Sequence, residues 1–158
     1  TRPTAQSMPS QPRSDSGSYL LWLRADEAQS ITVGALGEMA VPPGVYAYAG
    51  SAFGPGGVKA RVGRHVRGEG ALHWHVDYLR AVADLAAVWF THDDARRECD
   101  WAEVLRDLPG ADVPMDGFGA SDCTCPAHLI RFDQQPDLQT VRDRMHAAYP
   151  DHAPIRKT

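Results

Sequence analysis

Tyr19-Leu20-Leu21-Trp22-Leu23 and Val45-Tyr46-Ala47-Tyr48-Ala49 are the two runs whose reading decides the fold. Both are short, apolar and rich in aromatic or β-branched residues. Both are bounded by glycine, at Gly17 before the first and at Gly44 and Gly50 around the second, which marks strands rather than helices. Between them Ile31-Thr32-Val33 and Glu38-Met39-Ala40-Val41 flank a turn-like Gly34-Ala35-Leu36-Gly37. Three or four antiparallel strands are therefore expected before residue 50. Asp84 to Thr91 is long and apolar enough for a central strand, and His128-Leu129-Ile130-Arg131-Phe132 adds a last one.

Helical periodicity dominates the rest. Val58, Val62 and Val66 recur at i, i+4, i+8 and are expected to mark a buried face. Leu72 to Ala83 places Leu72, Val76, Leu79 and Ala83 together. A third helix is expected from an Asp94 N-cap to Leu108, stopped by Pro109-Gly110, and a fourth over Asp137 to Tyr149. Residues 1–16 and 150–158 read as tails around one domain spanning 17–149, since they carry too few apolar side chains to offset ordering entropy. The expected class is α/β of the α+β kind, a small, mainly antiparallel central sheet flanked by helices.

Composition narrows the function classes. With 158 residues, 43% apolar and 23% charged, the chain fits one globular core and not a disordered, collagenous or coiled-coil protein. No apolar run reaches the length of a membrane span, so a soluble, cytoplasmic protein is expected. A net charge of −4 argues against wholesale coating of nucleic acid, though not against a local basic site. Three cysteines make a disulfide scaffold unexpected.

Some residues sit where a purely structural reading is uncomfortable. Glu98 shares the apolar stripe of Trp101, Ala102 and Leu105. A carboxylate there is costly unless a cation, a metal or several donors meet it. Arg61 and His65 are i, i+4 neighbours beside the valine stripe of a helix that also carries Lys59, Arg64 and Arg67. The Gly54, Gly56 and Gly57 loop before that helix is expected to let backbone N–H groups approach a phosphate. His73, Trp74, His75, Asp77 and Tyr78 form a polar-aromatic cluster. Cys99, Cys123, Cys125 and His128 hold the right chemistry for zinc, but one residue between Cys123 and Cys125 is tighter than usual ligand spacing, so small buried thiols are expected instead.

Taken in order, Gly17-Ser18-Tyr19, Tyr48-Ala49-Gly50-Ser51, Arg61-x-x-x-His65 and the Glu98 helix resemble the GIY-YIG nuclease superfamily. With Gly44 to Ala52, His73-Trp74-His75-Val76-Asp77-Tyr78-Leu79 and Ser121-Asp122-Cys123-x-Cys125-x-x-His128-Leu129, the chain is similar to a branch of unknown function, sometimes fused to endonuclease III-like DNA glycosylases. Tyr46 is the weaker candidate for the first tyrosine, because it shares one face of one strand with Tyr48. The 28 residues between Tyr19 and Tyr48 imply a hairpin inserted after the first strand, from roughly Gln29 to Pro43.

The resemblance implies a metal-dependent DNA endonuclease of DNA repair or processing, with DNA and a DNA-repair protein as partners and Mg²⁺ or Mn²⁺ as cofactor. Tyr19, Tyr48, Arg61, His65 and Glu98 would be catalytic, Glu98 also holding the metal. Lys59, Arg64, Arg67, His73 and His75 are expected to contact DNA. Two other classes remain open: a catalytically inactive DNA-structure-binding module and a zinc-stabilised interaction domain.

Overall fold

The computed structural model describes residues 11–67, 75–119 and 127–158. Five strands, β1 (Gly17–Ala25), β4 (Gly44–Ala52), β5 (Asp84–Thr91), β6 (Leu129–Phe132) and β7 (Arg156–Lys157), form one antiparallel sheet in the order β6-β4-β1-β5-β7. The inserted hairpin is present as β2 (Gln29–Thr32) and β3 (Glu38–Val41), which pair only with each other. Four helices, α1 (Gly57–Arg67), α2 (His75–Arg80), α3 (Glu98–Arg106) and α4 (Leu138–Ala148), flank the sheet. The architecture is α+β, as expected.

The central place of β1 explains why its sequence is apolar without a break from Tyr19 to Leu23. Tyr19, Leu21 and Leu23 face a layer holding Val58, Val62, Val76 and Leu79 from α1 and α2, with Met39 and Val41 of the hairpin. Leu20 and Trp22 face the opposite layer, with Trp101 and Leu105 of α3 and Val141 and Met145 of α4. A strand buried on both faces has no polar alternation.

Local chemistry corrects several expectations. Val66 is 49% exposed, and the buried face of α1 is Val58, Val62 and His65. Each i+4 step walks about 40° round a helix, so i+8 has drifted off a face that i+7 still shares. The third helix starts at Glu98 rather than at an Asp94 cap. The preceding turn is held instead by Asp93, which accepts from Ala95 N, Arg97 Nε and Ala153 N. Asp137 does cap α4, accepting from Thr140 N at 3.1 Å.

Parts of both expected tails lie on the domain. Arg13 O and Asp15 O accept hydrogen bonds from Lys59 N and Val58 N, so the chain entering β1 closes the N-terminus of α1. Gly57, at φ 59°, is required there, since a Cβ would sit 2.2 Å from Ser14 O. At the other end, buried His152 stacks on Trp101, accepts its indole N–H at 2.7 Å, and leads to β7. Apolar content alone misses such segments, because orphan helix N–H groups and a sheet edge also bind backbone.

Candidate active site

Register sets the centre of the site. Tyr19 lies opposite Gly50 and Leu21 opposite Tyr48, which puts the two tyrosines diagonally on one face with ring centroids 6.4 Å apart. Gly50 is required by this arrangement, because a Cβ there would lie 2.5 Å from the Tyr19 ring and hydroxyl. Tyr46, on the same face, donates its hydroxyl to Pro42 O and closes the hairpin instead. Tyr48 also packs edge-on against Phe118.

From above this face, α1 lowers His65 and Arg61. The Tyr19 hydroxyl is 2.9 Å from His65 Nε2 in full burial. Arg61 donates to Ser51 O at 3.0 Å and lies close enough to Tyr19 to favour its ionised form by charge and hydrogen bonding. Burial wins over that cation and pushes Tyr19 up to about 12; Tyr48 is raised too, again chiefly by burial. Burial likewise brings His65 down to about 4, opposed by Asp77 and assisted by Arg61, Arg64 and Arg80. At neutral pH the pair is a phenol beside a neutral imidazole.

Glu98 comes in from the second layer. It is the first residue of α3, where the helix field favours an anion, and it is 8% exposed. Its expected apolar stripe is real: Trp101, Ala102 and Leu105 are all buried. Neighbouring Arg97 is turned to Asp93, Asp100 and Asp151. The Glu98 charge reaches Tyr19 and Tyr48, adding to the rise that burial causes in each, and it opposes the burial that lowers the pKa of His128. A single buried carboxylate whose charge reaches the Tyr19 and Tyr48 hydroxyls fits a hard cation that keeps most of its waters, such as Mg²⁺ or Mn²⁺. No cluster of three or more His, Cys, Asp or Glu forms a metal cage among the described residues.

The residues expected at DNA are placed unevenly. Lys59 and Arg67 are exposed on α1, whereas Arg64 is half-buried and ion-paired with Asp77 at 3.2 Å. A cleft of about 250 Å³ opens between Ala52, Pro55, Arg61 and Arg64. His75 lies apart from this surface, its Nδ1 accepting Gly119 N at 2.7 Å and its ring against Phe118. His73 lies outside the described residues. The expected phosphate cradle at the start of α1 is closed, because Val58 N and Lys59 N already donate to Asp15 O and Arg13 O.

Cys99 is disulfide-bonded, which corrects the expectation of small free thiols; Cys123 and Cys125 lie outside the described residues. Its Sγ is 3.2 Å from His128 Nε2. Two residues given no site role in the sequence reading stand at the site. Arg96 donates to Ser51 Oγ and lies 4.7 Å over the Phe53 ring, beside Arg61's own contact with Ser51. Asp77 faces His65 Nδ1 at 3.9 Å. An arginine before the glutamate and an acid inside the His75-x-Asp77 block were the available signals.

The molecule is thus an α+β domain with a tyrosine, histidine and arginine cluster and a buried carboxylate at one end of its sheet. Residues 18–150 match the family described as Domain of unknown function DUF123, and the chain belongs to that family. No curated protein and no solved structure matches it. Among the described residues no helix is long and apolar enough to cross a membrane.

Proposed function

We propose that this chain is a divalent-metal-dependent endonuclease of the GIY-YIG type, hydrolysing DNA phosphodiester bonds in repair or processing in the cytoplasm. The observation that carries the reading is the meeting of Tyr19, Tyr48, Arg61, His65 and Glu98, from four separate elements, around one buried hydroxyl–imidazole contact of 2.9 Å. Residues so far apart in sequence are costly to desolvate together without a task, which makes such clusters functional candidates.

Glu98 would hold the cation, which supplies Lewis-acid stabilisation of charge on the phosphate. Arg61 would contact a phosphate oxygen at the mouth of the cleft. With a pKa near 12, Tyr19 is a phenol at neutral pH and does not attack a water proton as a ready-made phenolate. The hydroxyl takes the water proton as its own proton passes to His65 Nε2, while Tyr48 shapes the hydroxyl side of the site. General-base assistance of this kind contributes on the order of 10²- to 10⁴-fold. Lys59 and Arg67 add counterion-releasing contacts along the DNA backbone.

Incubation with supercoiled, single-stranded and branched DNA plus Mg²⁺ or Mn²⁺ tests the reading. Cleavage is expected from the wild type and is expected to fall to background in Glu98→Ala with DNA affinity nearly unchanged, because a lost metal removes transition-state more than ground-state contacts. Undiminished cleavage by Glu98→Ala overturns the assignment. Tight DNA binding with no cleavage by the wild type identifies an inactive DNA-binding module instead.

A further inference from the structure

We propose that Asp77 is a positioning residue for Tyr19 and His65, its carboxylate fixing the imidazole so that Nδ1 carries the proton and Nε2 accepts from the Tyr19 hydroxyl. The inference rests on the nuclease reading for its consequence in catalysis, but its geometry stands apart from it. His65 Nδ1 lies 3.9 Å from Asp77 Oδ1, and the His65 side chain is fully buried with Asp77 13% exposed. On the other ring edge Nε2 is 2.9 Å from Tyr19 Oη.

A neutral imidazole has one N–H and one lone pair, so the two edges must differ. With the proton on Nε2, the Asp77 carboxylate would face the lone pair of Nδ1, and the Tyr19 hydroxyl would have to receive rather than donate. With the proton on Nδ1, the carboxylate faces an N–H and the phenol proton has an acceptor. Electrostatics select the second tautomer. They also act on the charged form: when the phenol proton moves to Nε2, the O–H bond breaks, an N–H bond forms, and imidazolium results. Burial and the cations Arg61 and Arg64 of α1 and Arg80 of α2, whose Nε reaches His65 O, all oppose that charge, and Asp77 favours it. Among the described residues the Tyr19 hydroxyl is the group 2.9 Å from Nε2.

Asp77 also pairs with Arg64 through Oδ2 at 3.2 Å, so a purely structural role, tying α2 to α1, is the competing account. The two separate by experiment. Long-range ¹H–¹⁵N correlation spectra of ¹⁵N-labelled protein at pH 7 read the protonation of each His65 nitrogen without any need for cleavage. Wild type is expected to show protonated Nδ1 and unprotonated Nε2. The near-isosteric Asp77→Asn, whose amide can donate or accept, is expected to lose this single tautomer, and titration should place its His65 pKa below that of wild type. Arg64→Gln, which removes the tie and keeps the carboxylate, is expected to retain the wild-type tautomer.

Three results overturn the proposal: a wild-type ring protonated on Nε2, an Asp77→Asn ring unchanged from wild type, or an Arg64→Gln ring altered as much as that of Asp77→Asn. In the cleavage assay Asp77→Asn should lower kcat about 10- to 100-fold with KM nearly unchanged, a split that loss of an α1–α2 tie would not give. If the wild type does not cleave, the nuclease reading fails while the spectra still decide the role of Asp77.

Discussion

The two faces of the central sheet are cut from the same strands, yet they bury different chemistry. The face under α3 and α4 holds Trp22, Trp89, Trp101, Leu20, Phe132 and Met145, a layer of aromatic and aliphatic side chains in which Trp22 and Trp89 meet edge-on. The face under α1 and α2 buries Tyr19, Tyr46 and Tyr48, with His65 among them. Polar atoms are costly in a core, and a layer that only had to pack would use the first composition. The contrast separates a face that holds the domain together from one that carries a site, with Glu98 reaching the site from the far layer.

That division is open to direct attack. Trp101→Ala, in the layer under α3 and α4, is expected to cost about 3–5 kcal/mol, because it empties a fully buried site and removes the donor to His152. Thermal unfolding reads this as a fall in Tm on the order of 10 °C. Tyr19→Phe, in the other layer, keeps the ring and loses one hydroxyl. It is expected to cost about 1 kcal/mol of stability and, on the proposed function, about 10²- to 10³-fold in cleavage rate. If Trp101→Ala were mild, or if Tyr19→Phe cleaved normally, the division between the faces would be wrong.

Acid should expose the difference as well. His65 titrates near 4 in the folded protein and near 6.5 when unfolded, so between those values the unfolded chain binds more protons. Stability then falls as pH drops from about 6.5 to about 4, by about 3 kcal/mol from this residue. Denaturant unfolding of wild type and His65→Gln across that window should show a shallower pH dependence in the variant. Equal slopes would mean that His65 is not held neutral by the α1 face.

What the sequence revealed and concealed follows the same physics. The strands, the inserted hairpin and the Glu98 stripe were legible, because periodicity and glycine boundaries are local and Glu98 breaks a local pattern. Val66 leaves the expected stripe because an i+4 series drifts about 40° round the helix at each step. The Asp94 cap failed because Asp93, one residue earlier, was engaged by Ala153 from the far end of the chain. Asp77 was visible as part of a polar-aromatic cluster but its role was not, and Arg96 drew no notice, for a related reason: each acquires meaning from a partner on another element, His65 for one and Ser51 for the other. The docking of Arg13 and Asp15 on α1 depends on backbone carbonyls, which composition does not count.

The smallest effect tests where DNA meets the functional face. The chain is acidic overall, yet Lys59 and Arg67 are exposed on α1, the helix whose Arg61 and Arg64 line the cleft. If DNA follows this edge, binding weakens with salt as phosphates shed condensed counterions, and each lost contact lowers the slope of log K against log salt by about 0.9 on duplex DNA. Lys59→Gln and Arg67→Gln should each reduce the slope by about one, with an affinity loss that is modest at high salt and larger at low salt. Lys157, exposed on β7 at the far edge of the sheet, is the matched control, and Lys157→Gln should leave the slope unchanged. Fluorescence anisotropy across a salt series measures all three. A slope lowered by Lys157→Gln but not by the two α1 substitutions would move the DNA to the opposite edge, while the Tyr19–His65–Glu98 site would then need its substrate from another direction.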